Sequence, residues 1–414
     1  MTLQRVLAKT AVRENTVQLY TTVGYFVAFV ALGLAYAALG PTLPDLAALV
    51  GTDLTRISYG LAARSLGYLV GSVVAGRLYD LIDGHPVMAG VLLLTALLLV
   101  VIPLAPVLWL MIALLFLIGA VQGAIDVGGN TLLVWVHGDK VDPYMNAMHF
   151  FFGVGAFVSP LIIAQGVLIS GGIRWAYWAL ALLIAPVALI VLRLPSPRPA
   201  GRSEVERTGS GTPVASRGQD LALVAMIAVF FFLYVGAESG FGGWIASYAR
   251  ATGLGDAVTA AYLTSAFWGA LTLGRLLSIP LAARFSPRQV LTGDLIGCSI
   301  SMSILLLWPA APLATWVGTL GAGLFMASMF PTTLSLAERH MTISGTITSL
   351  FFVGASLGGM ILPWVIGQFF ERVGPHVTNV TNAAAVAASV LVFALIVFHT
   401  RQRSTDGVAA EGRL

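Results

Sequence analysis

A carboxylate flanked by two carboxamides is the group in this sequence best suited to binding an ion. The segment FLIGAVQGAIDVGGNTLL places Gln122, Asp126 and Asn130 four residues apart, so a helix would put all three on one face. Their oxygen atoms suit a proton or a hard cation such as Na⁺, and an apolar setting favours proton uptake by the acid. We expect an ion-coupling group here, with Na⁺ held by Asp126 and Asn130. The alternative is a structural carboxylate paired with Arg64.

Groups that could hydrogen-bond a polar solute lie on two later segments. Asn146 and His149 are three residues apart in NAMHFFFGVGAFVSP, and histidine also carries protons near neutral pH. Alternatively, Asn146 caps a helix and His149 bonds a backbone carbonyl. Glu238 lies in FFFLYVGAESGFGGWIASYA among four glycines, and an ionisable group inside a membrane span indicates a functional site.

Three aromatic residues with polar atoms complete the predicted solute site. Trp244 and Tyr248 are one helical turn apart, and Trp268 shares a helix face with Arg275. Such rings offer a sugar an apolar surface and a hydrogen bond. The alternative for Trp244 and Tyr248 is the aromatic belt at the membrane interface.

Two charged residues are expected to be structural. Arg275 stands near one end of its segment, where its side chain could extend to water. Asp294 could form an ion pair with Arg275 or with Arg284.

The elements that must position these groups are membrane spans. Of the 414 residues, 58% are hydrophobic and 10% are charged, whereas soluble domains have about 25% charged residues. A helix needs roughly 20 apolar residues to cross the hydrocarbon core. The sequence predicts an all-α membrane protein with twelve such spans: 20–44, 55–79, 86–106, 108–135, 144–169, 174–194, 221–249, 257–283, 288–308, 313–336, 344–371 and 377–399.

Arg and Lys residues divide unequally between the two sides that twelve spans define. Sixteen lie on the side of the termini and four on the other, and the richer side is the cytoplasmic one. We therefore expect a multi-pass protein of the cell (inner or plasma) membrane with both termini cytoplasmic. Because the net charge of +4 follows this pattern, no nucleic-acid partner is expected.

A polar segment divides the spans six and six. Residues 195–219 are dominated by Pro, Gly, Ser and charged residues, a composition that cannot bury a core. The predicted organisation is a six-helix bundle over 1–194, a cytoplasmic linker over 195–219, a second six-helix bundle over 220–400 and a cytoplasmic tail over 401–414.

An internal repeat supports this division. The segments around Gly76 and Gly153 recur around Gly274 and Gly354, about 200 residues later in each case. Such parallel repeats of a six-span unit place the solute site between the two halves.

Motifs of several enzyme classes are missing from the sequence. It contains no GxxxxGK[ST] loop, no HExxH, no GxSxG and no zinc-type spacing of Cys and His. Its single cysteine, Cys298, excludes an intrachain disulfide. We expect no enzymatic activity and no cofactor, only a coupling ion, Na⁺ or H⁺.

Six segments and one loop carry a resemblance to a known family. The segments are LGPTLPDLA (39–47), ISYGLAARSLGYLVGS (57–72), GAIDVGGN (123–130), MNAMHFFFGVGAFVSPLI (145–162), YVGAESGFGGWIASYA (234–249) and AAYLTSAFWGALTLGR (260–275). They resemble the sodium-dependent glucose transporter branch of the fucose permease-like major facilitators. The loop GRLYDLIDGHP (76–86) is similar to the superfamily signature, with His85 and Pro86 in place of its basic pair.

The resemblance implies the major facilitator fold and a symporter for a hexose or a related solute. Fucose permeases rely on an acid at the end of the first span and another in the fourth, and Asp45 and Asp126 stand at the matching places.

We therefore predict cation-coupled symport of a hexose or related small polar solute by alternating access, in a monomer embedded in lipid. Two alternatives stay open: a proton-coupled exporter of drugs or metabolites, and a non-transporting sensor or scaffold with this fold.

Overall fold

The computed structural model describes the backbone of residues 3–197, 220–341 and 345–411, with side chains for 16–138, 140–197, 220–341 and 347–402. These ranges are helical apart from short connections, which confirms the all-α fold. The helices are α1 (Leu3–Ala37), α2 (Leu39–Leu49), α3 (Leu54–Leu81), α4 (Gly84–Val101), α5 (Leu108–His137), α6 (Asp142–Ser170), α7 (Arg174–Leu192), α8 (Leu221–Ala251), α9 (Ala257–Arg284), α10 (Pro287–Leu307), α11 (Pro312–Met326), α12 (Met329–Glu338), α13 (Gly345–Val373) and α14 (Val377–Glu411).

Eleven helical stretches in the described ranges are long and apolar enough to cross a membrane. The chain is therefore a multi-pass membrane protein. Helix α3, which occupies the predicted second span, has 28 residues but is not among the eleven. It carries three arginines and an aspartate, Arg56, Arg64, Arg77 and Asp80.

Two of the predicted spans are interrupted helices. The predicted span 20–44 divides at Ala38 into α1 and α2, and the predicted span 313–336 divides at Ala327 and Ser328 into α11 and α12. Proline has no N–H for the carbonyl four residues earlier. Pro41 therefore leaves the Ala37 carbonyl without its helical donor, and Pro331 does the same to Ala327.

The chain forms two compact units. Unit 1 consists of Met1–Thr52 and Ala63–Gly211, and unit 2 of Asp53–Ala62 and Thr212–Leu414. The start of α3 belongs to unit 2, where Gln368 Nε2 donates to the Thr55 carbonyl at 3.2 Å and to Ser58 Oγ at 3.0 Å. The predicted linker lies outside the described residues from 198 to 219, so its boundaries stay a prediction.

Glycines bring one helix pair into backbone contact within each unit. In unit 1, Gly155 of α6 lies against the Val30 carbonyl of α1, with no room for a Cβ. In unit 2, Gly354 of α13 lies in the same way against the Ala228 carbonyl of α8. Small residues allow this approach in a membrane, where close packing holds helices together. The equivalent contacts, about 200 residues apart, agree with a parallel repeat of six-span units.

His85 links α1, the start of α4 and the segment after α7 in unit 1. Its side chain is buried and lies 2.9 Å from the Leu194 carbonyl and 2.7 Å from the Tyr25 hydroxyl. Since a carbonyl only accepts, Nδ1 carries the proton and Nε2 accepts from Tyr25. The backbone N–H of His85 donates to Ser196 Oγ at 3.0 Å. The start of α4 is thereby fixed to the segment that follows α7.

One carboxylate joins the first and last helices of unit 2. Asp220 caps α8 by accepting from the Leu223 N–H at 3.1 Å. Its other oxygen lies 2.5 Å from Nε2 of His399, near the end of α14.

Large aromatic side chains fill the interior of unit 2. Trp244 is fully buried, its Nε1 donates to the Pro363 carbonyl at 2.9 Å, and its ring lies 5.1 Å from that of Phe370. Tyr248 is also fully buried and donates to the Pro309 carbonyl at 3.0 Å. These two residues connect α8 to α13 and to the connection between α10 and α11.

Replacement of Gly358 by alanine should destabilise unit 2. Its Cβ would meet the Phe232 carbonyl oxygen of α8, and overpacking of this kind costs about 1–3 kcal/mol. Gly293→Ala on α10 is the matched control, because its Cβ would enter open space. The measurement is the thermal unfolding midpoint in detergent, and equal midpoints for the two variants would contradict the packing described.

Trp244→Ala should lower the free energy of unfolding by about 3–5 kcal/mol, the usual cost of emptying a buried tryptophan site. Trp109, whose side chain is 72% exposed, provides the control, since its replacement by alanine should change stability by about 0.5 kcal/mol or less. If the unfolding midpoint fell equally in both variants, burial of the tryptophan would not determine the loss of stability.

Candidate functional site

Four glycines position the acid of unit 1 by bringing α3 and α5 together. A Cβ on any of them would fall on backbone of the facing helix; they are Gly67 and Gly71 of α3 and Gly119 and Gly123 of α5. The contacts of Gly119 and Gly123 are with the carbonyls of Arg64 and Tyr68. Because the backbones touch, a side chain of α3 reaches the polar face of α5 directly.

Two neutral donors hold the carboxylate of Asp126, which is half-buried. The Tyr68 hydroxyl donates to its Oδ2. Asn130 Nδ2 donates to its Oδ1 at 3.0 Å and to its backbone carbonyl at 2.8 Å. Both contacts come from neutral groups, so neither brings a compensating positive charge to the carboxyl group. We call Tyr68, Gln122, Asp126 and Asn130 the Asp126 centre.

Arg64 does not form the ion pair with Asp126 that was the alternative to an ion-coupling role. Among the described side chains, no ion pair joins the two within 4.0 Å. The Arg64 guanidinium instead lies over the Tyr36 ring, 4.1 Å from its centroid. The carboxylate therefore has no ion-paired arginine, and a bound cation or proton could compensate its charge.

Gln122 lies one helical turn from Asp126 and is 1% exposed. Neither its amide nitrogen nor its amide oxygen has a hydrogen-bond partner among the described residues. A buried amide left without partners costs free energy. The Gln122 amide oxygen is therefore available to an ion that binds the Asp126 carboxylate.

The other residues of unit 1 that the sequence predicts for the site, Asp45, Asn146 and His149, are not part of the Asp126 centre. Asp45 is half-buried in α2, within electrostatic reach of Tyr177. The His149 ring is half-buried and meets the Phe29 ring edge-on at 5.5 Å. Asn146 is exposed on the second turn of α6, which begins at Asp142, so it does not cap that helix.

Unit 2 holds a second tyrosine–carboxylate pair. The Tyr234 hydroxyl donates to Glu238 Oε2 at 2.5 Å, one turn away on α8. Arg275 of α9 is the basic residue within electrostatic reach of both. This group of three, the Glu238 centre, combines a charged acceptor, a hydroxyl and a guanidinium, which together can bind the hydroxyl groups of a polar solute.

Asp294 has a different partner from the expected arginine. Its carboxylate accepts from the Ser328 hydroxyl, at the interruption between α11 and α12. Within the described residues it forms no ion pair with Arg275 or Arg284 within 4.0 Å. The expected structural ion pair is therefore corrected.

The aromatic residues expected at the solute site belong to the interior of unit 2. Trp244 and Tyr248 are fully buried and Trp268 is 3% exposed, with its ring edge-on to Phe267 at 5.1 Å. Side chains this enclosed contact neither solute nor interface in this structure. Their burial corrects the interfacial-belt alternative for Trp244 and Tyr248, whereas a role of these residues in solute binding stays a prediction.

The sequence did contain a signal for the residues that we overlooked. Tyr234 stands four residues before Glu238, and Tyr68 four residues after Arg64, so each shares a helix face with a charged residue. Among the described residues, no three His, Cys, Asp or Glu side chains form a cluster that could hold a metal ion.

The model of the Major Facilitator Superfamily matches residues 25–363. Sodium-dependent glucose transporter 1A of Mus musculus is 31% identical over 374 residues, covering 83% of this chain and 88% of that protein. Sodium-dependent glucose transporter 1 of Xenopus laevis is 33% identical, covering 81% and 72%.

Solved structures share the fold at low identity. A crystal structure of the nucleoside transporter NupG aligns with a TM-score of 0.71 at 14% identity, covering 92% of this chain and 99% of that chain. A bacterial homolog of the human lysosomal transporter Spinster aligns with a TM-score of 0.70 at 13% identity, covering 94% and 97%. The helical architecture, the family model and the relatives together show that this chain is a transporter of the Major Facilitator Superfamily, similar to its sodium-dependent glucose transporters.

Proposed function

We propose that this protein is a secondary active symporter that couples Na⁺ or H⁺ to the uptake of a hexose or a related small polar solute by alternating access. The observation that carries the proposal is the carboxylate of Asp126, which is held by Tyr68 and Asn130 without an ion-paired arginine. The relatives named sodium-dependent glucose transporters support the choice of ion and solute. Both termini are proposed to be cytoplasmic.

The coupling ion binds at the Asp126 centre. A charge inside a membrane span is costly, about 2.5–3.5 kcal/mol on insertion scales, so the empty ionised centre is disfavoured in an apolar setting. Na⁺ would take the Asp126 carboxylate and the Gln122 amide oxygen as ligands, whereas a proton would neutralise the carboxylate alone. In either case, the ion drives transport only if its affinity differs between the conformational states of the protein.

The solute binds at the Glu238 centre. Its carboxylate accepts hydrogen bonds from solute hydroxyls, and Arg275 and Tyr234 donate to solute oxygens. Burial of Trp244, Tyr248 and Trp268 leaves them a supporting role, in which they fix the position of α8 and with it that of Glu238.

Asp126→Asn should abolish accumulation of labelled hexose in proteoliposomes under an imposed Na⁺ or H⁺ gradient. The variant keeps the shape of the side chain and removes its charge, while solute exchange without net ion movement should persist. Asp142→Asn, at an exposed position of α6, is the matched control and should accumulate solute normally. Wild-type accumulation by Asp126→Asn would refute ion coupling at this residue, and gradient-driven efflux by the wild type would favour an exporter.

Glu238→Gln should weaken hexose binding while leaving dependence on the ion gradient intact. Loss of a hydrogen bond to a charged group costs about 1.5–3 kcal/mol, which corresponds to roughly a tenfold to hundredfold weaker affinity. Equilibrium binding of labelled hexose measures the change, with Glu338→Gln at the exposed end of α12 as control. Unchanged affinity would place the solute elsewhere.

A further inference from the structure

The guanidinium of Arg64 lies on an aromatic ring rather than on a carboxylate. Arg64 is half-buried in α3, the predicted second span, and its guanidinium is 4.1 Å from the centroid of the Tyr36 ring of α1. A charged side chain inside a span is costly and usually pairs with an opposite charge. A tyrosine ring attracts a cation through its quadrupole but supplies no opposite charge. The position on the ring therefore leaves Arg64 able to bind an acid as well.

The carboxylate of Asp126 lies within the reach of Arg64. Gly119 of α5 lies against the Arg64 backbone and Gly123 against the Tyr68 backbone, so α3 and α5 run in the same direction. Asp126 follows Gly119 by seven residues on the same face of α5, about 10 Å along the helix axis. Helical side chains lean toward the N-terminus of their helix, so the Asp126 carboxylate leans toward the level of Arg64. The long arginine side chain can cover the remaining distance.

The Tyr68 hydroxyl stands between the two charges. Tyr68 follows Arg64 by one turn of α3, and its hydroxyl donates to Asp126 Oδ2. Asp126, Arg64 and Tyr36 are all within electrostatic reach of this hydroxyl. The present position of the guanidinium, over the Tyr36 ring, and a second one at the Asp126 carboxylate thus flank the same group.

Asp45 is another acid in the neighbourhood of Arg64. Both residues are within electrostatic reach of the Tyr177 hydroxyl, which lies 2.8 Å from Thr42 Oγ1. Asp126 is the favoured partner, because the glycine contacts bring α3 directly against its own helix. Replacement of each acid in turn distinguishes the two.

We propose that Arg64 takes the place of the coupling ion. It lies on the Tyr36 ring while the ion occupies the Asp126 centre, and it pairs with Asp126 once the ion has left. The inference rests on the proposed function, because it requires the Asp126 centre to bind the ion. An arginine–carboxylate pair has no net charge, whereas an empty ionised carboxylate is disfavoured in a span. The pair lets the empty protein return to the opposite conformational state, a step that every transport cycle needs.

The pair with Asp126 is a temporary one. Breaking a buried ion pair is costly, and the returning ion and the Tyr36 ring together offset that cost. The ion supplies the positive charge that the carboxylate loses, and the ring receives the guanidinium. Arg64 is therefore a positioning residue that acts on the ion site and does not itself bind the solute.

Net uptake and exchange of labelled glucose separate this role from a structural one. Both are measured with the full-length protein in proteoliposomes, with equal ion concentrations on the two sides. Net uptake requires the empty protein to change its conformational state, whereas exchange proceeds with solute and ion bound. Arg64→Gln should lower net uptake at least about tenfold, since an uncompensated charge in a span is costly, and should leave exchange unchanged.

Two single variants and one double variant provide the controls. Arg64→Lys keeps the charge and should retain net uptake, and Arg77→Gln, at an exposed position of the same helix, should behave as the wild type. Arg64→Gln combined with Asp126→Asn removes both charges, so net uptake down a glucose gradient should recover. A structural role of Arg64 predicts no such recovery.

The outcomes distinguish failure of this inference from failure of the proposed function. Normal net uptake by Arg64→Gln, or no recovery in the double variant, would overturn the inference. Recovery with Asp45→Asn in place of Asp126→Asn would overturn it too, because the partner would be Asp45. Ion-driven accumulation by Asp126→Asn alone would instead refute the proposed function. If Arg64→Gln does not fold, variants of Tyr36 decide.

Removal of the Tyr36 ring should favour the pair and so hinder ion binding. Tyr36→Leu should raise the concentration of the driving ion, Na⁺ or H⁺, for half-maximal glucose exchange by roughly two- to fivefold, the value of a cation–π contact. Tyr36→Phe keeps the ring and should leave this concentration unchanged. In the Arg64→Gln background, Tyr36→Leu should have no effect, because no guanidinium remains. An unchanged ion requirement in Tyr36→Leu, or the same rise in Tyr36→Phe, would overturn the proposal.

Discussion

Backbone contact between α3 and α5 is the constraint on which the Asp126 centre depends. Four glycines remove the side chains that would separate these helices, and the resulting approach lets Tyr68 of one helix bond Asp126 of the other. In lipid, apolar side chains gain nothing by leaving the solvent, so close packing and hydrogen bonds hold helices together. The glycines thus serve two purposes, since they allow the helices to pack and they bring the Tyr68 hydroxyl within reach of Asp126.

Each unit stabilises a carboxylate with a tyrosine and keeps an arginine nearby without a direct ion pair. Tyr68 bonds Asp126 in unit 1, and Tyr234 bonds Glu238 in unit 2. A buried ion pair would neutralise the acid permanently, and breaking it would cost several kcal/mol. A hydroxyl partner leaves the net charge of the carboxylate uncompensated. This arrangement is the one that the proposed exchange of a cation, a proton or a solute hydroxyl requires.

Local periodicity was sufficient to predict the helices and the polar face of α5, because residues four apart on a helix must be neighbours. The same segment carries the glycines at 119 and 123, which lie against the backbone of α3. The partners across helices could not be predicted, since Tyr68 and Ser328 meet their acids only through tertiary packing. The full burial of Trp244 could not be predicted for the same reason, as belt and core tryptophans look alike in a sequence.

The bond between Asp220 and His399 has a consequence for the order in which the helices of unit 2 can follow one another along the chain. It brings the beginning of α8 to the end of α14, and further along Gly240 of α8 lies against the Asn382 side chain of α14, so α8 and α14 are in contact. Because α8 and α14 are in contact, the contacts among α8–α14 do not depend on which of these helices comes first in the sequence. A circularly permuted gene, with the ends near Asp220 and His399 joined and new termini at the Phe285–Ser286 connection, would specify the same set of contacts within α8–α14.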